Sequence, residues 1–584
     1  MNQRMKLPPA VQRQLDAAAA QRGQSPVPPS LHRRPVETGA KRPPDPPETP
    51  LGERVEECAG LDHSDTDNGK RLRIHFGRDL LVVSQSKSKA PFYTAWTGTH
   101  WDTDNGGPRS LGIAQEVGDL IHLETDLILP SEDEAAAMDE AKAQFGKDWP
   151  LLDGDDLTKS QKSTLKQAGE ARKAWMKRIE RRHAHALQTK NLARMSAMLA
   201  CSAVYIMRDP DEFNADPMVF ATPGYTIRFR KEIEEADGRA FARAAVDVED
   251  GHRRSDMITQ CLPVDYDPAA DCPTWRAFTE RMLPDEAVRR MVQIAFGLGL
   301  VGIPLQKLFF HYGSGANGKS VAMETICRVL GDLSVTLPAT SFIGESNRGG
   351  AASPDIARLY GRRFLRVKEL PQGEDLKEEL VKEVTGGEAL TARDLHQGYF
   401  DFLPLFVAHM SGNGFPRITG LDNGIWRRMT VVHWPVQLKT EEIRDFEDVL
   451  AGFEPEYSGI LNWLIEGVCI YLEEGLIIPE AVARATQEYR DEMDPTANFC
   501  AACVAASPGG KLAAKDFYHA YVSWTIDQGG KPISLTRFGL IMKKKYERDD
   551  GRTNFYRDIA LDNVPRSAAD PGPPPEHWGD IPDI

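Results

Sequence analysis

The residues with the clearest chemical potential lie between 313 and 320, where Gly313, Ser314, Gly315, Ala316, Asn317, Gly318, Lys319 and Ser320 fit the pattern GxxxxGK[ST]. Glycines at this spacing let successive backbone N–H groups curl around an anion, and a helix starting there adds the positive end of its dipole. In such a loop a lysine at position 319 reaches the outer phosphates of a nucleoside triphosphate, and a serine hydroxyl at 320 is a magnesium ligand. A tight structural turn is the plain alternative. The flanks favour the phosphate loop: Leu308 to Phe310 form a short apolar run suited to a buried strand, and Val321, Ile326, Val329 and Leu330 recur at helical spacing after the turn.

A phosphate loop alone serves a kinase, a GTPase or a motor, so other residues must choose. A second apolar run, Phe364 to Val367, leads to Glu369, whose carboxylate at a strand end can polarise an attacking water and help Ser320 hold the metal. A third, in "PLFVAHMSGNGFPRI", leads to Asn413, placed to orient water near the γ-phosphate. Arg427 and Arg428 precede a β-rich run, from which an arginine can reach a neighbouring subunit's nucleotide. Between these lie two extended segments around the basic and aromatic tip "RDLHQGY", with Arg393, His396 and Tyr399. Each has a bland reading as well: a strand-end carboxylate, a turn former, a solvated strand start, a charged hairpin tip. Their order behind a phosphate loop moves all four toward function.

The elements that must position these groups belong to a chain of 584 residues, long enough for several domains. Residues 1–50 are rich in Pro, Gln and Arg and are expected to be disordered, and 51–130 to form a small β-rich module. Residues 131–285 are expected to be mostly helical. The nucleotide domain follows at 286–440, a helical connector at 441–505, a helix, turn, helix and hairpin layout at 506–565, and a loose acidic tail at 566–584. The basic cluster "KRIERRHAH" could touch phosphates, with an exposed helix face as its plainer reading. The formal net charge of −15 argues against a protein coated with nucleic acid, although a ring can keep its basic residues inside a channel. Eight scattered cysteines suit a reducing compartment, and Cys500 and Cys503 in "CAAC" are read as helix packing rather than half a zinc site. No signal peptide and no run of eighteen apolar residues is seen, so a soluble protein without a membrane partner is expected.

The succession "GSGANGKS", "FLRVKEL", "LTARDLHQGYFDF", "MSGNGFPRITGLDNGIWRRM" resembles superfamily 3 DNA helicases, in the branch of phage and plasmid primase-helicases related to the poxvirus primase-helicase. These motifs cover about 308–435, and weaker likeness, in "FYTAWTGTHWDTDN", "YDPAADCPTWRAFTERML" and "DFYHAYVSWTIDQGGKPISLTRFG", extends it over most of 70–562. The resemblance implies an α/β multidomain chain: an AAA+ P-loop ATPase core, a helical and β N-terminal associated region, and a C-terminal winged helix. It implies ATP and Mg2+ as ligands, a homohexameric ring, and 3′ to 5′ movement on single-stranded or forked DNA in the cytoplasm of a bacterial host. Gly313, Gly318, Lys319 and Ser320 match the phosphate loop, Glu369 the acidic second motif, Asn413 the polar sensor, and Arg428 or Arg427 the arginine finger. The hairpin matches the pore loop, making Lys382, Arg393 and His396 candidate DNA contacts, with Tyr399 stacking on or propping the loop. In the winged helix, Arg537 is the residue expected to face DNA.

Two departures stand out. Lys368 occupies the position where many members have a second acid, and no primase domain is evident before residue 70, so primase activity is not assigned and a separate primase or other replication proteins are further partners. A replication initiator, whose ATPase is an assembly switch and whose winged helix binds an origin, is the competing reading. A small-molecule kinase fits poorly, since it needs neither the arginine pair nor the hairpin.

Overall fold

The architecture comes from a computed structural model, which describes residues 45–84, 91–103, 105–152, 157–236, 239–344, 354–393, 399–418, 420, 423–551 and 553–562. Its centre is a five-stranded sheet. Strands are numbered within this central region: β1 Leu308–Tyr312, β2 Ser334–Leu337, β3 Phe364–Leu370, β4 Leu390–Arg393, β5 Tyr399–Phe402, β6 Val407–Gly412 and β7 Met429–His433. The sheet order is β7-β1-β6-β3-β2 and every pairing in it is parallel. A parallel sheet is covered on both faces, which is why its strands read as near-continuous apolar runs. Phe309, Val407, Val432 and Phe364 pack on one side with helix α1 (Lys319–Leu330) and the helices Glu286–Gly297 and Tyr457–Glu474. Leu308, Phe310, Leu365, Met410 and Val431 alternate onto the other side, toward Tyr489. Strands β4 and β5 stand apart as an antiparallel hairpin, Leu390 opposite Phe402 and Arg393 opposite Tyr399.

Residues before the sheet differ from the pattern expected of them. The 51–130 stretch is not β-rich: helices Leu51–Ala59, Asp65–Phe76 and Gly106–Leu123 surround the short strands Leu80–Val83, Phe92–Trp96 and Trp101–Asp102. Its polar core explains why the helices were obscured. Arg71 and Glu124 are fully buried, Arg71 Nε donating to Glu124 at 2.7 Å with Arg182 on the same carboxylate, so helix faces that look charged point inward. The 131–285 stretch carries the helices Glu132–Phe145, Lys159–Thr189, Leu192–Ile206 and Pro273–Met282, and adds an element not expected of it, because Tyr225–Ala236 and Arg239–Asp250 form a twelve-residue antiparallel ribbon. Alternation of Ile227 and Phe229 with polar residues, facing Val248 and Val246, fits that ribbon. The expectation of disorder for 1–50 falls mainly outside the described residues, but 45–50 are described, and the Asp45 carboxylate accepts from the Arg254 backbone N–H at 2.9 Å.

After the sheet come helices Phe446–Phe453, Tyr457–Glu474, Glu480–Glu492 and Ala497–Cys503. The last described unit has helices Ala514–Asp527 and Leu535–Lys545 against a small antiparallel sheet of Val504–Ala513, Arg548–Asp549 and Phe555–Leu561. Phe499, Phe517, Tyr521, Phe538 and Tyr556 make its core, and Cys500 and Cys503 pack there. The expected tail at 566–584 lies outside the described residues. No helix among the described residues is long and apolar enough to cross a membrane.

Candidate functional site

Ligands of open parallel sheets bind beyond the carboxyl ends of the strands, where the chain order switches direction. In this sheet that place is the end of β1, between β6 and β7, and residues 313–318 form the turn there. The turn is tightly held. Gly318 has φ 78°, and a Cβ on it would meet Phe278 at 2.9 Å; Ala316 has φ 58°, and its carbonyl accepts from Leu438 N–H at 2.8 Å. Asn317 Nδ2 donates to the Ser314 carbonyl at 2.7 Å. Helix α1 begins at Lys319, and Ser320 lies in its first turn, partly exposed.

Lys319 is 5 % exposed. Its ammonium donates to the Gly313 carbonyl at 2.8 Å, to Asn317 Oδ1 at 3.0 Å and to Asn413 Oδ1 at 3.3 Å. Burial pushes its pKa down to about 8, an effect the Glu369 carboxylate opposes. Asn413 follows β6 and is exposed. Glu369 is exposed near the end of β3, where the register shifts between Val367 and Leu370. Glu369 itself takes φ 39°, a left-handed conformation unfavourable for a side chain of this type. Such a bulge re-aims a side chain at a strand end. Lys319, Asn413 and Glu369 are thus brought together from the ends of three adjacent strands. Lys368, beside Glu369, is exposed and supplies no second carboxylate.

Directly behind the loop lies a polar relay that sequence reasoning missed. Trp434 Nε1 donates to His311 Nδ1 at 3.0 Å, so the His311 proton sits on Nε2 and faces His409 Nδ1 at 3.1 Å. Both histidines have no exposed surface, and burial holds them neutral, His311 pushed down to about 3 and His409 well below its ordinary value. The isolated histidine of an apolar strand gives no sign of its partner, which lies 98 residues on in sequence and on the adjacent strand of the sheet. Beside the loop, Tyr312 and His433 stack at 4.6 Å in a cleft also lined by Leu283, Val288, Pro435 and Glu488.

The arginine pair sits at the opposite end of the sheet. Met429 pairs with Leu308, so Arg427 and Arg428 adjoin the start of β1, roughly 16 Å of strand from the loop at its end. The preference for Arg428 is corrected by its burial: it is 8 % exposed and its Nη1 donates to the Gly424 carbonyl at 2.9 Å. Arg427 is the exposed member, and no side-chain partner is found for it among the described residues. It lines a cleft with Lys307, Asn423, Trp426, Thr486 and Arg490 whose charged groups are all cationic. Lys307 Nζ donates to the Arg427 carbonyl at 2.8 Å, and Arg490 to Asn423 Oδ1 at 2.7 Å. Lys307 and Arg490 carried no motif, since one precedes the strand and the other comes from a helix sixty residues further on.

The remaining candidates are scattered. Arg393 and Tyr399 are paired in backbone register at the base of the hairpin tip, while His396 lies outside the described residues. Lys382 is not on the hairpin: it belongs to helix Glu378–Val384 and donates to Glu379 at 3.0 Å, so its assignment as a hairpin contact is corrected. Arg537 opens helix Leu535–Lys545, half-buried. Around it, Lys543 pairs with Asp550 at 3.1 Å, Lys545 with Asp494 at 2.5 Å, and Arg557 with Asp549.

Comparison with known proteins adds an independent line. Residues 69–284 match the family model described as "D5 N terminal like". Over 266 residues the chain is 27% identical to "Putative helicase 022R" of Frog virus 3, covering 43% of this chain and 27% of that protein. It is 27% identical over 300 residues to "Putative helicase L207/L206" of Acanthamoeba polyphaga mimivirus, covering 47% and 31%. To "Putative primase C962R" of African swine fever virus it is 30% identical over 130 residues, covering 22% and 13%. The matched parts therefore span less than a third of these relatives' own lengths. Among solved structures, the apo form of the NrS-1 C-terminal region aligns with 51% of this chain and 64% of that chain at 13% identity and a TM-score of 0.30, a likeness too low to argue from.

Proposed function

We propose that this chain is an ATP-dependent DNA helicase of a replication system, built on an AAA+ P-loop core and working as a homohexameric ring on forked DNA. The single observation that carries the reading is the convergence of Lys319, Asn413 and Glu369 on one strand-end loop, with the exposed Arg427 at the far end of the same strands. The viral relatives named helicase and primase support it, as does the match to the D5 N terminal like family.

In this reading the triphosphate displaces the carbonyl and amide oxygens that now hold Lys319, and the ammonium follows the β- and γ-phosphates. The base enters the Tyr312–His433 cleft. Asn413 orients the attacking water and Glu369 accepts its proton as the bond to the γ-phosphorus forms and the bond to the leaving oxygen breaks. The oxygen donors of Ser320 and Glu369 suit Mg2+, which when bound neutralises phosphate charge. With one carboxylate rather than two, the Ser320 hydroxyl takes a larger share of that site. Arg427 is too far to act on its own loop, so it serves the nucleotide of an adjacent subunit, with Lys307 and Arg490 beside it. Charge developing on the γ-phosphoryl oxygens is what such a cation stabilises. Changes of contact across that joint would move the β4–β5 hairpin, whose Arg393, His396 and Tyr399 grip one strand in 3′ to 5′ travel. The C-terminal helices and sheet form a winged helix, in which Arg537 meets DNA or a partner protein.

The test is ATP-dependent displacement of a strand from a 3′-tailed duplex by the natural chain, Lys319→Ala and Arg393→Ala. Unwinding by the natural chain alone, with Arg393→Ala still hydrolysing ATP, is the expected result. Hydrolysis and duplex binding without any unwinding would replace the motor with an assembly switch.

A further inference from the structure

We propose that the outer face of helix Lys159–Thr189 is a docking surface for the phosphate backbone of duplex DNA, an inference that rests on DNA being this protein's substrate. The helix has 31 residues, roughly 46 Å at 1.5 Å per residue. Between Lys159 and Lys190 the chain carries ten Lys or Arg against two Glu, inside a protein of net charge −15. Four of the ten are not available to a ligand on that face: Arg182 is buried on Glu124, Arg178 pairs with Glu134, Lys190 pairs with Asp119, and Arg172 stands off to one side. The other six form a row, in which Lys162 has an interaction of its own.

At about 100° per residue, Lys159, Lys162, Lys166, Lys173, Lys177 and Arg181 fall within an arc of about 100°. All six are exposed. Directly across the helix, Ala168, Trp175, Ile179, Arg182 and Ala186 face the rest of the unit, where helices Glu132–Phe145 and Gly106–Leu123 cover them. The row therefore points to solvent along its whole length. Glu170 and Glu180 interrupt it, yet Lys166, Lys173, Lys177 and Arg181 make no ion pair among the described residues. This distinguishes it from Lys543 and Lys545 of helix Leu535–Lys545, which Asp550 and Asp494 neutralise.

A straight row extending about 33 Å from Lys159 to Arg181, with cations about 4 to 6 Å apart except for one step of about 10 Å across Glu170, suits a rigid polymer charged along its length. One strand of a duplex presents a phosphate about every 3.4 Å of axis. A membrane is disfavoured, because an interfacial helix needs an accessible apolar face and here that face is covered by the protein's own helices. The stripe lies in the part of the chain that precedes the nucleotide domain, so it can hold duplex while the ring handles a single strand.

The experiment measures binding of a fluorescent blunt 20-base-pair duplex to the full chain, without nucleotide, over a series of salt concentrations. The test variant is K166Q/K173Q/K177Q/R181Q, and the charge-matched control is K231Q/R239Q/K439Q/R444Q, at exposed positions elsewhere. The stripe variant is expected to bind at least tenfold more weakly at about 0.1 M salt, with the slope of log affinity against log salt reduced by about 3 to 4, while its melting temperature and DNA-free ATP hydrolysis are unchanged. Equal loss in the control overturns the proposal, as does an unchanged slope. Loss confined to a single-stranded probe, or stripe-dependent binding to phosphatidylserine vesicles instead of duplex, overturns it too. Failure of the natural chain to bind any DNA would remove the helicase reading itself, a result separate from natural binding that the stripe variant shares.

Discussion

At the scale of residues, Lys319 is held in a nearly dry pocket by three neutral oxygens, an arrangement that stabilises an ammonium less than water does. Its depressed pKa would make the proposed nucleotide binding a proton-linked event. The free protein loses the Lys319 proton as pH rises through about 8, and a bound polyphosphate favours the charged form. Calorimetric titration of ATP at pH 8.5 to 9 in two buffers of different ionisation enthalpy should therefore show net proton uptake, absent at pH 7; equal apparent enthalpies in both buffers would show that Lys319 does not titrate. For the arginines, Arg427→Ala is expected to lower hydrolysis by about 10³-fold while leaving ATP binding intact. In the proposed ring, where this arginine would serve the neighbouring subunit's nucleotide, mixing the variant with Lys319→Ala should recover hydrolysis that neither variant has alone. Arg428→Ala should instead lower thermal stability, since its guanidinium is buried against the Gly424 carbonyl.

At the scale of elements, the bulge in β3 shows strain and chemistry at one position. Strand β3 pairs regularly through Val367, and the left-handed φ of Glu369 costs about 1 kcal/mol relative to glycine. Glu369→Gly should be more stable than Glu369→Ala by about that amount in chemical unfolding, and both should hydrolyse ATP poorly. Equal stabilities would show that the bulge relaxes when the carboxylate is removed. The apolar run of β3 was legible in sequence, and so was β1. The bulge was not, because Lys368 and Glu369 look like any polar strand end until the register against β6 is known.

At the scale of the whole molecule, four histidines among the described residues are buried and held neutral: His75 and His185 in the N-terminal unit, pushed to about 4, and His311 and His409 behind the 313–318 loop. Each binds its proton more weakly folded than unfolded, so stability is full above about pH 6.5 and is lost as pH falls below it. Unfolding midpoints should drop between pH 6.5 and 5, before the carboxylates titrate. A flat profile there would mean that the histidines are not sealed from water.

The sequence by itself determined the loop, its flanking strand and helix, and the order of the chemical groups, because glycine freedom and apolar periodicity act over a few residues. It also disclosed two helices followed by a hairpin in 506–565, which local turn residues punctuate, but not the strand Val504–Ala513 that pairs along Phe555–Leu561. Only tertiary structure decided which of Arg427 and Arg428 reaches solvent, that Lys307 and Arg490 join the former, and that Lys382 is away from the hairpin. It likewise decided which charged helix faces turn inward, as with Arg71 and Arg182, and which stay outside, as with Lys166 to Arg181. Burial and pairing are set by neighbours distant in the chain, and a residue's type says nothing about who those neighbours will be.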